Sequence, residues 1–181
     1  MKQQISRRFA SRGITLVETT AAITIAAIVI GVAAPSFGEM KERRMLEGHS
    51  AELAVDLRYV RSEAVTRNQP VRMTFGSAAG GACYVIHTGA AADCRCSADG
   101  ATQCVNNARE IKTVVLPAIN RITLRSNVSS MLFDPTHGTT SPAGTLRLVD
   151  SQGKAIHHVV NIMGRVRSCS PQRAIPGFVA C

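Results

Sequence analysis

The stretch Arg12-Gly13-Ile14-Thr15-Leu16-Val17-Glu18, with the apolar run that follows it to Phe37, decides how this 181-residue chain folds. Residues 1–13 contain Lys2, Arg7, Arg8 and Arg12 and no acid. Between Ile14 and Phe37 the only charged residue is Glu18, the fifth of the run. About 20 apolar residues suffice to cross a bilayer as a helix, so the run is long enough to span. A carboxylate inside such a segment is costly and points to a function. The cationic residues ahead of it predict that residues 1–13 stay cytoplasmic and the remainder is exported. Thr15, Thr19, Thr20 and Thr24 do not spoil the span, because a helical threonine can return its hydroxyl to a carbonyl one turn back.

This segment resembles the class III signal of type IV pilins and type II secretion pseudopilins. The resemblance implies cleavage after Gly13 by a prepilin peptidase, which then N-methylates Ile14. Most members of the family carry Phe at that place. It also implies that Glu18 pairs with the N-terminal ammonium of a neighbouring subunit during assembly. In a low-dielectric layer the two charges are each costly alone and much less costly together. Two other interpretations compete. One is a secretory signal peptide cut after Val32-Ala33-Ala34, against which Pro35 immediately beyond is a poor protease substrate. The other is a plain signal anchor with Glu18 snorkelling at the membrane edge. The location implied is the bacterial inner membrane, single-pass, with the C-terminal domain in the periplasm, and then the pilus at the cell surface. Other major and minor pilins are the implied partners.

Removing thirteen residues leaves 168, and losing their four cations lowers the formal net charge from +9 to +5. A basic exported chain permits a nucleic-acid or anionic-surface partner without requiring one. Trp is absent and aromatics make up only 4% of residues, which argues against base stacking as the binding device. Six cysteines, Cys83, Cys94, Cys96, Cys104, Cys169 and Cys181, all lie in the exported portion. An even number in an oxidising compartment reads as three disulfides. Zinc on Cys94, Cys96 and Cys104 is the rival, but no His follows at finger spacing, and His157 and His158 would point to opposite faces of a strand. Cys169 with Cys181 is the natural tail pair, closing a loop around Pro171 and Pro176. The other four cysteines allow three pairings. No metal or other cofactor is expected.

From Arg43 onward, Leu46, Leu53, Leu57, Val60 and Ala64 recur at steps of seven, four, three and four, which builds one apolar helical stripe. Asn68 and Pro70 end the helix. Beyond them the period changes to two. Val71–Phe75, Tyr84–His87, Thr113–Leu116, Ile122–Leu124, Ser130–Phe133, Leu146–Val149 and Ile156–Ile162 read as short strands between turn residues. The fold class expected is α+β, with a long N-terminal helix packed on an antiparallel sheet. The divisions expected are a leader over 1–13, the membrane half of the helix over 14–37 and its amphipathic half over 38–68. A β domain over 69–163 and a basic, disulfide-closed tail over 164–181 complete the chain. Residues 89–107 are too poor in large apolar side chains to pack and are expected as a disulfide-stapled surface loop.

Two further stretches narrow the resemblance. Asp56-Leu-Arg-Tyr-Val-Arg-Ser-Glu-Ala-Val-Thr-Arg is similar to the helix end of the GspH/FimT group of minor pilins. Phe133-Asp-Pro, Gly144-Thr-Leu and Asn161-Ile-Met-Gly-Arg-Val-Arg with Cys169 beyond resemble the C-terminal half of its FimT side. On that side Gly-Arg-x-Arg implies sequence-independent contact with double-stranded DNA during natural transformation, here through Gly164, Arg165 and Arg167. Arginines two apart on an extended segment share a face, and each guanidinium can fork two bonds onto a phosphate. Gly164 is expected to let the DNA backbone approach. Arg173 in the tail and Lys154 on the preceding turn are expected to add to the cluster. A structural pseudopilin that primes or caps assembly without binding DNA is the alternative. Catalysis is not expected, since no nucleophile–base or paired-carboxylate grouping stands at a suggestive spacing.

Intact mass measurement of the protein taken from membranes is expected to give a chain starting at N-methylated Ile14. A chain that keeps residues 1–13, or one cut beyond Ala34, contradicts the processing expectation.

Overall fold

A computed structural model describes residues 15–78, 80–97 and 99–181, except for the side chains of residues 32–36. Gly13 and Ile14, the expected cleavage and methylation pair, lie outside the described residues. The chain divides into two units, Met1–Met40 and Lys41–Cys181. Helix α1 (Leu16–Arg67) contributes to both.

In the first unit Thr15 caps the helix. Its Oγ1 accepts the Glu18 N–H at 3.2 Å and its carbonyl accepts the Thr19 N–H at 3.1 Å. Glu18 is therefore the third helical residue, where an acid also complements the helix dipole. The hydroxyls of Thr19, Thr20 and Thr24 donate to the carbonyls of Thr15, Val17 and Thr20. Leu16, Val17, Ile23, Ile25, Ile28, Val29 and Ile30 are all at least 60% exposed. A helix apolar all round needs cover from lipid or from other chains. Among the described residues no helix is long and apolar enough to cross a membrane. The span expected over 14–37 includes Ile14 and the side chains of 32–36, which lie outside the described residues.

In the second unit the expected stripe is the core. Leu46, Leu53, Leu57, Val60 and Ala64 are each at most 1% exposed. The helix stops where Asn68 turns left-handed (φ 50). Asn68 N–H donates to Val65 O and Gln69 N–H to Ala64 O, which satisfies the last carbonyls before Pro70.

Twelve strands follow among the described residues. They are β1 (Val71–Ala78), β2 (Gly81–His87), β3 (Cys94–Cys96), β4 (Thr102–Cys104), β5 (Glu110–Pro117) and β6 (Thr123–Ser126), then β7 (Ser130–Phe133), β8 (Thr140–Ser141), β9 (Gly144–Val149), β10 (Ala155–Val160), β11 (Val166–Ser170) and β12 (Val179–Ala180). One sheet has the order β5-β2-β1-β7-β8 and the other β12-β11-β10-β9-β6. Val71, Met73 and Phe133 from the first and Leu146, Leu148 and Ile156 from the second close on the stripe as one core. All pairings are antiparallel except β11 with β12. The antiparallel sheet expected is thus observed, with the two-residue β12 added in parallel at one edge. Cys181 is tied back to Cys169, and the returning tail runs beside β11 in the same direction.

The loop expected over 89–107 is a hairpin, β3 with β4. Cys94 pairs with its register partner Cys104, and Cys96 reaches β2 at Cys83. Asp93 holds its base, accepting from Ala90 N–H at 2.7 Å and Asn106 Nδ2 at 2.9 Å. All six cysteines are thus paired, and the zinc alternative loses its thiolates.

Two polar side-chain sets pack against the core, each around a buried member, Asp56 or His158. Asp56 on α1 accepts from Tyr84 OH at 2.7 Å and from Lys112 Nζ at 2.7 and 2.8 Å. Burial and then this carboxylate hold the Tyr84 phenol far above its ordinary pKa. His158 on β10 lies 3.0 Å from Ser50 Oγ on α1 and 2.8 Å from Ser168 Oγ on β11. Desolvation, followed by the nearby Arg58 charge, lowers the His158 pKa to about 4. In the unfolded chain this imidazole titrates near 6.5, so between these values the unfolded state binds more protons. The neutral native His158 therefore contributes stability that is intact above pH ~6.5 and lost as the pH falls towards 4, by up to about 3 kcal/mol. Urea midpoints measured across this window are expected to fall with pH. The fall is expected to be shallower in His158→Gln, and an unchanged slope in that variant contradicts the assignment.

Candidate nucleic-acid interface

The segment between β10 and β11 is built by Asn161. Its Oδ1 accepts the N–H groups of Met163 at 3.1 Å and Arg165 at 3.0 Å, while its carbonyl accepts the Gly164 N–H at 2.9 Å. Thr140 N–H on β8 donates to Ile162 O at 2.9 Å, fastening the turn to the other sheet. Ile162 and Met163 are left exposed at its tip.

Gly164 is buried at a left-handed φ of 68°. A Cβ there would lie 2.6 Å from the Gly138 carbonyl oxygen and 3.2 Å from Arg61 Cδ. The expectation that Gly164 opens a path for a DNA backbone is therefore corrected: the neighbour that demands a glycine is inside the protein. Gly138, also left-handed, lies close against the Arg61 guanidinium, where a Cβ would stand 2.9 Å from Nε.

Arg61 is thereby held beside Arg165. Arg58, Arg61, Ser62, Val65 and Thr66 of α1 and Gly164, Arg165 and Val166 of the turn line one open cleft of about 620 Å³. The two arginines of α1 escaped the sequence analysis. Their i, i+3 spacing off the apolar stripe shows a shared helix face, but only tertiary packing brings that face to Arg165. The Lys and Arg ion pairs among the described residues engage Arg43, Arg44, Arg67 and Lys112, and none of Arg58, Arg61, Arg165 or Arg167.

Arg165 belongs to the turn, so strand alternation does not assign it to the face of Arg167. Arg167 is on β11 opposite Val159, and both are exposed. Lys154 and Arg173 are not part of this cluster. Lys154 precedes β10 and Arg173 follows β11, at the end of the hairpin away from Arg165, about 17 Å along a five-residue strand at 3.3 Å per residue. Ser170 Oγ anchors that end, donating to Ala155 O at 2.8 Å and accepting Ile175 N–H at 3.2 Å.

Residues 49–164 match the family model described as Type II transport protein GspH. The type IV minor pilin FimU of Pseudomonas aeruginosa PAO1 is similar in fold. One crystal form has a TM-score of 0.55 at 19% identity, covering 75% of this chain and 99% of that one. A second form has a TM-score of 0.51 at 18% identity, covering 72% and 100%. The minor pseudopilin EpsH of Vibrio cholerae is also similar, with a TM-score of 0.46 at 11% identity over 70% and 97% of the two chains. No curated protein matches the chain in sequence at a significant level.

Gly164→Ala combines a left-handed backbone with a collision against backbone oxygen, and is expected to cost at least about 1–3 kcal/mol. A urea midpoint equal to the parent's contradicts the internal role given to this glycine.

Proposed function

Because the chain belongs to the GspH family of type II transport proteins, we propose that it is a minor pilin of a type IV pilus that binds extracellular double-stranded DNA. The β10–β11 hairpin makes the contact. Arg165 and Arg167 are the phosphate contacts, with Arg58 and Arg61 beside Arg165 in the same cleft. The observation that carries this reading is that cleft: three arginines converge on it without a carboxylate in its lining. Guanidinium groups grip phosphates in forked pairs and ignore the bases, which gives salt-sensitive binding of any sequence. Lys154 and Arg173, at the far end of the hairpin, add at most long-range attraction.

The exposed apolar half of α1 is the stem in this reading. It is cut after Gly13, methylated at Ile14 by a prepilin peptidase, and held in the inner membrane with the domain in the periplasm before entering the fibre. In this reading Glu18, near the helix start, meets the terminal amine of the next subunit. A second reading, a pseudopilin subunit that primes or caps assembly without touching nucleic acid, is favoured by the family itself. A deletion strain separates them: lost DNA uptake with intact fibres favours the first, and lost fibres or lost protein secretion the second.

Gel shifts with the Arg165→Gln/Arg167→Gln variant test the DNA reading. Binding is expected to weaken and the slope of log affinity against log salt to fall by up to about two units. Binding as tight as the parent's sinks it.

A further inference from the structure

We propose that the duplex lies across the outer face of the second sheet, where Arg125 and Arg147 form an additional phosphate-binding rung beside Arg167. This rests on the DNA reading above and extends it from a hairpin end to a whole sheet face.

The register fixes the positions. Arg125 on β6 is directly opposite Arg147 on β9, Arg147 is opposite His157 on β10, and Arg167 on β11 is opposite Val159. Leu146, Leu148, Ile156 and His158, which alternate with these residues, are buried. The arginines accordingly occupy the opposite, outward face, and all three are exposed.

Among the described residues no ion pair engages Arg125, Arg147 or Arg167. Strands β6, β9, β10, β11 and β12 contain no Asp or Glu at all. Like charges directly opposite each other on neighbouring strands destabilise a sheet, so the Arg125–Arg147 pair is a cost that the fold alone does not explain. His157 feels the same field: its proton affinity is lowered by desolvation and then by Arg147.

Geometry and chemistry select the occupant. Neighbouring strands are about 4.8 Å apart, so Arg167 is roughly 10 Å across and 7 Å along from Arg147. Flexible arginine side chains on that grid can meet several phosphates of one duplex, whose two strands together carry a charge every ~1.7 Å of axis. The exposed apolar side chains on the face, Val159 at 39% and Val179 at 56% on the edge strand β12, stand two strands apart and form no apolar centre of the kind a protein interface buries. A single-sign polar face fits a polyanion, and duplex DNA is the one to which we assign it.

Fluorescence anisotropy of the full-length protein in a neutral detergent, titrated into a labelled short duplex at several salt concentrations, tests this. Arg125→Gln/Arg147→Gln is expected to raise Kd by at least about fivefold and to lower the salt slope by up to about two units. Its melting temperature is expected to be no lower than the parent's, because a repulsion is removed. Arg147→Glu creates an Arg–Glu pair with Arg125 and is expected to melt higher while binding DNA still more weakly. If Arg125→Gln/Arg147→Gln keeps the parent's Kd and slope while Arg165→Gln/Arg167→Gln does not, the sheet-face rung is overturned and the hairpin reading stands. If the parent itself does not bind, both fall. Weaker binding accompanied by a lower melting temperature in both variants of the rung also overturns it, since the arginines are then structural.

Discussion

Five side chains on one stripe of α1, Leu46, Leu53, Leu57, Val60 and Ala64, form the surface on which both sheets assemble. Full burial of a large aliphatic side chain contributes about 1.5–3 kcal/mol, and the sheets obtain that only by closing on the same stripe. Polar groups then set the register. Asp56 binds Tyr84 on β2 and Lys112 on β5, and Ser50 meets His158 on β10. A carboxylate buried at 3% exposure is tolerable only with these partners in place. The helix therefore specifies which strand residues face inward, and by strand alternation which face outward.

The basic surface follows from that constraint. With His158, Ile156 and Val160 turned to the helix, the remaining positions of β10 and its neighbours face solvent, and arginines hold three of them. The same packing brings the last turns of α1 under the β10–β11 turn, where Gly138 and Gly164 both approach Arg61 closely. Arg58 contributes twice: it lines the cleft, and its charge helps keep His158 neutral. The charged surface and the buried histidine are thus linked through one side chain.

Much of the fold was legible because its signals are local. The apolar stripe and the Asn68 stop need only helix periodicity and cap chemistry, and Ser130–Phe133 appears as a strand with the bounds its alternation predicts. What escaped depends on partners distant in sequence. Strand β11, Val166-Arg-Ser-Cys-Ser170, carries too few apolar residues to announce itself and exists because β10 pairs with it. The β3–β4 hairpin looks like a loop in composition because disulfides replace its missing core. Gly164 showed that a glycine was needed, but its cause, the Gly138 carbonyl, is twenty-six residues away in the chain. Arg125 and Arg147 read singly as solvated charges. Their alignment appears only once β6, β9 and β10 are in register.

The central claim is that one end and one face of the β10–β11 sheet region contact DNA through its phosphates. Photocrosslinking of the full-length protein to a duplex carrying reactive groups on its phosphates, followed by peptide mapping, examines that contact most directly. The account predicts crosslinked peptides from residues 161–167 and from β9 around Arg147, in similar yield for unrelated sequences. Crosslinks confined to the β5-β2-β1-β7-β8 sheet, or no crosslinks above a non-irradiated control, would contradict it.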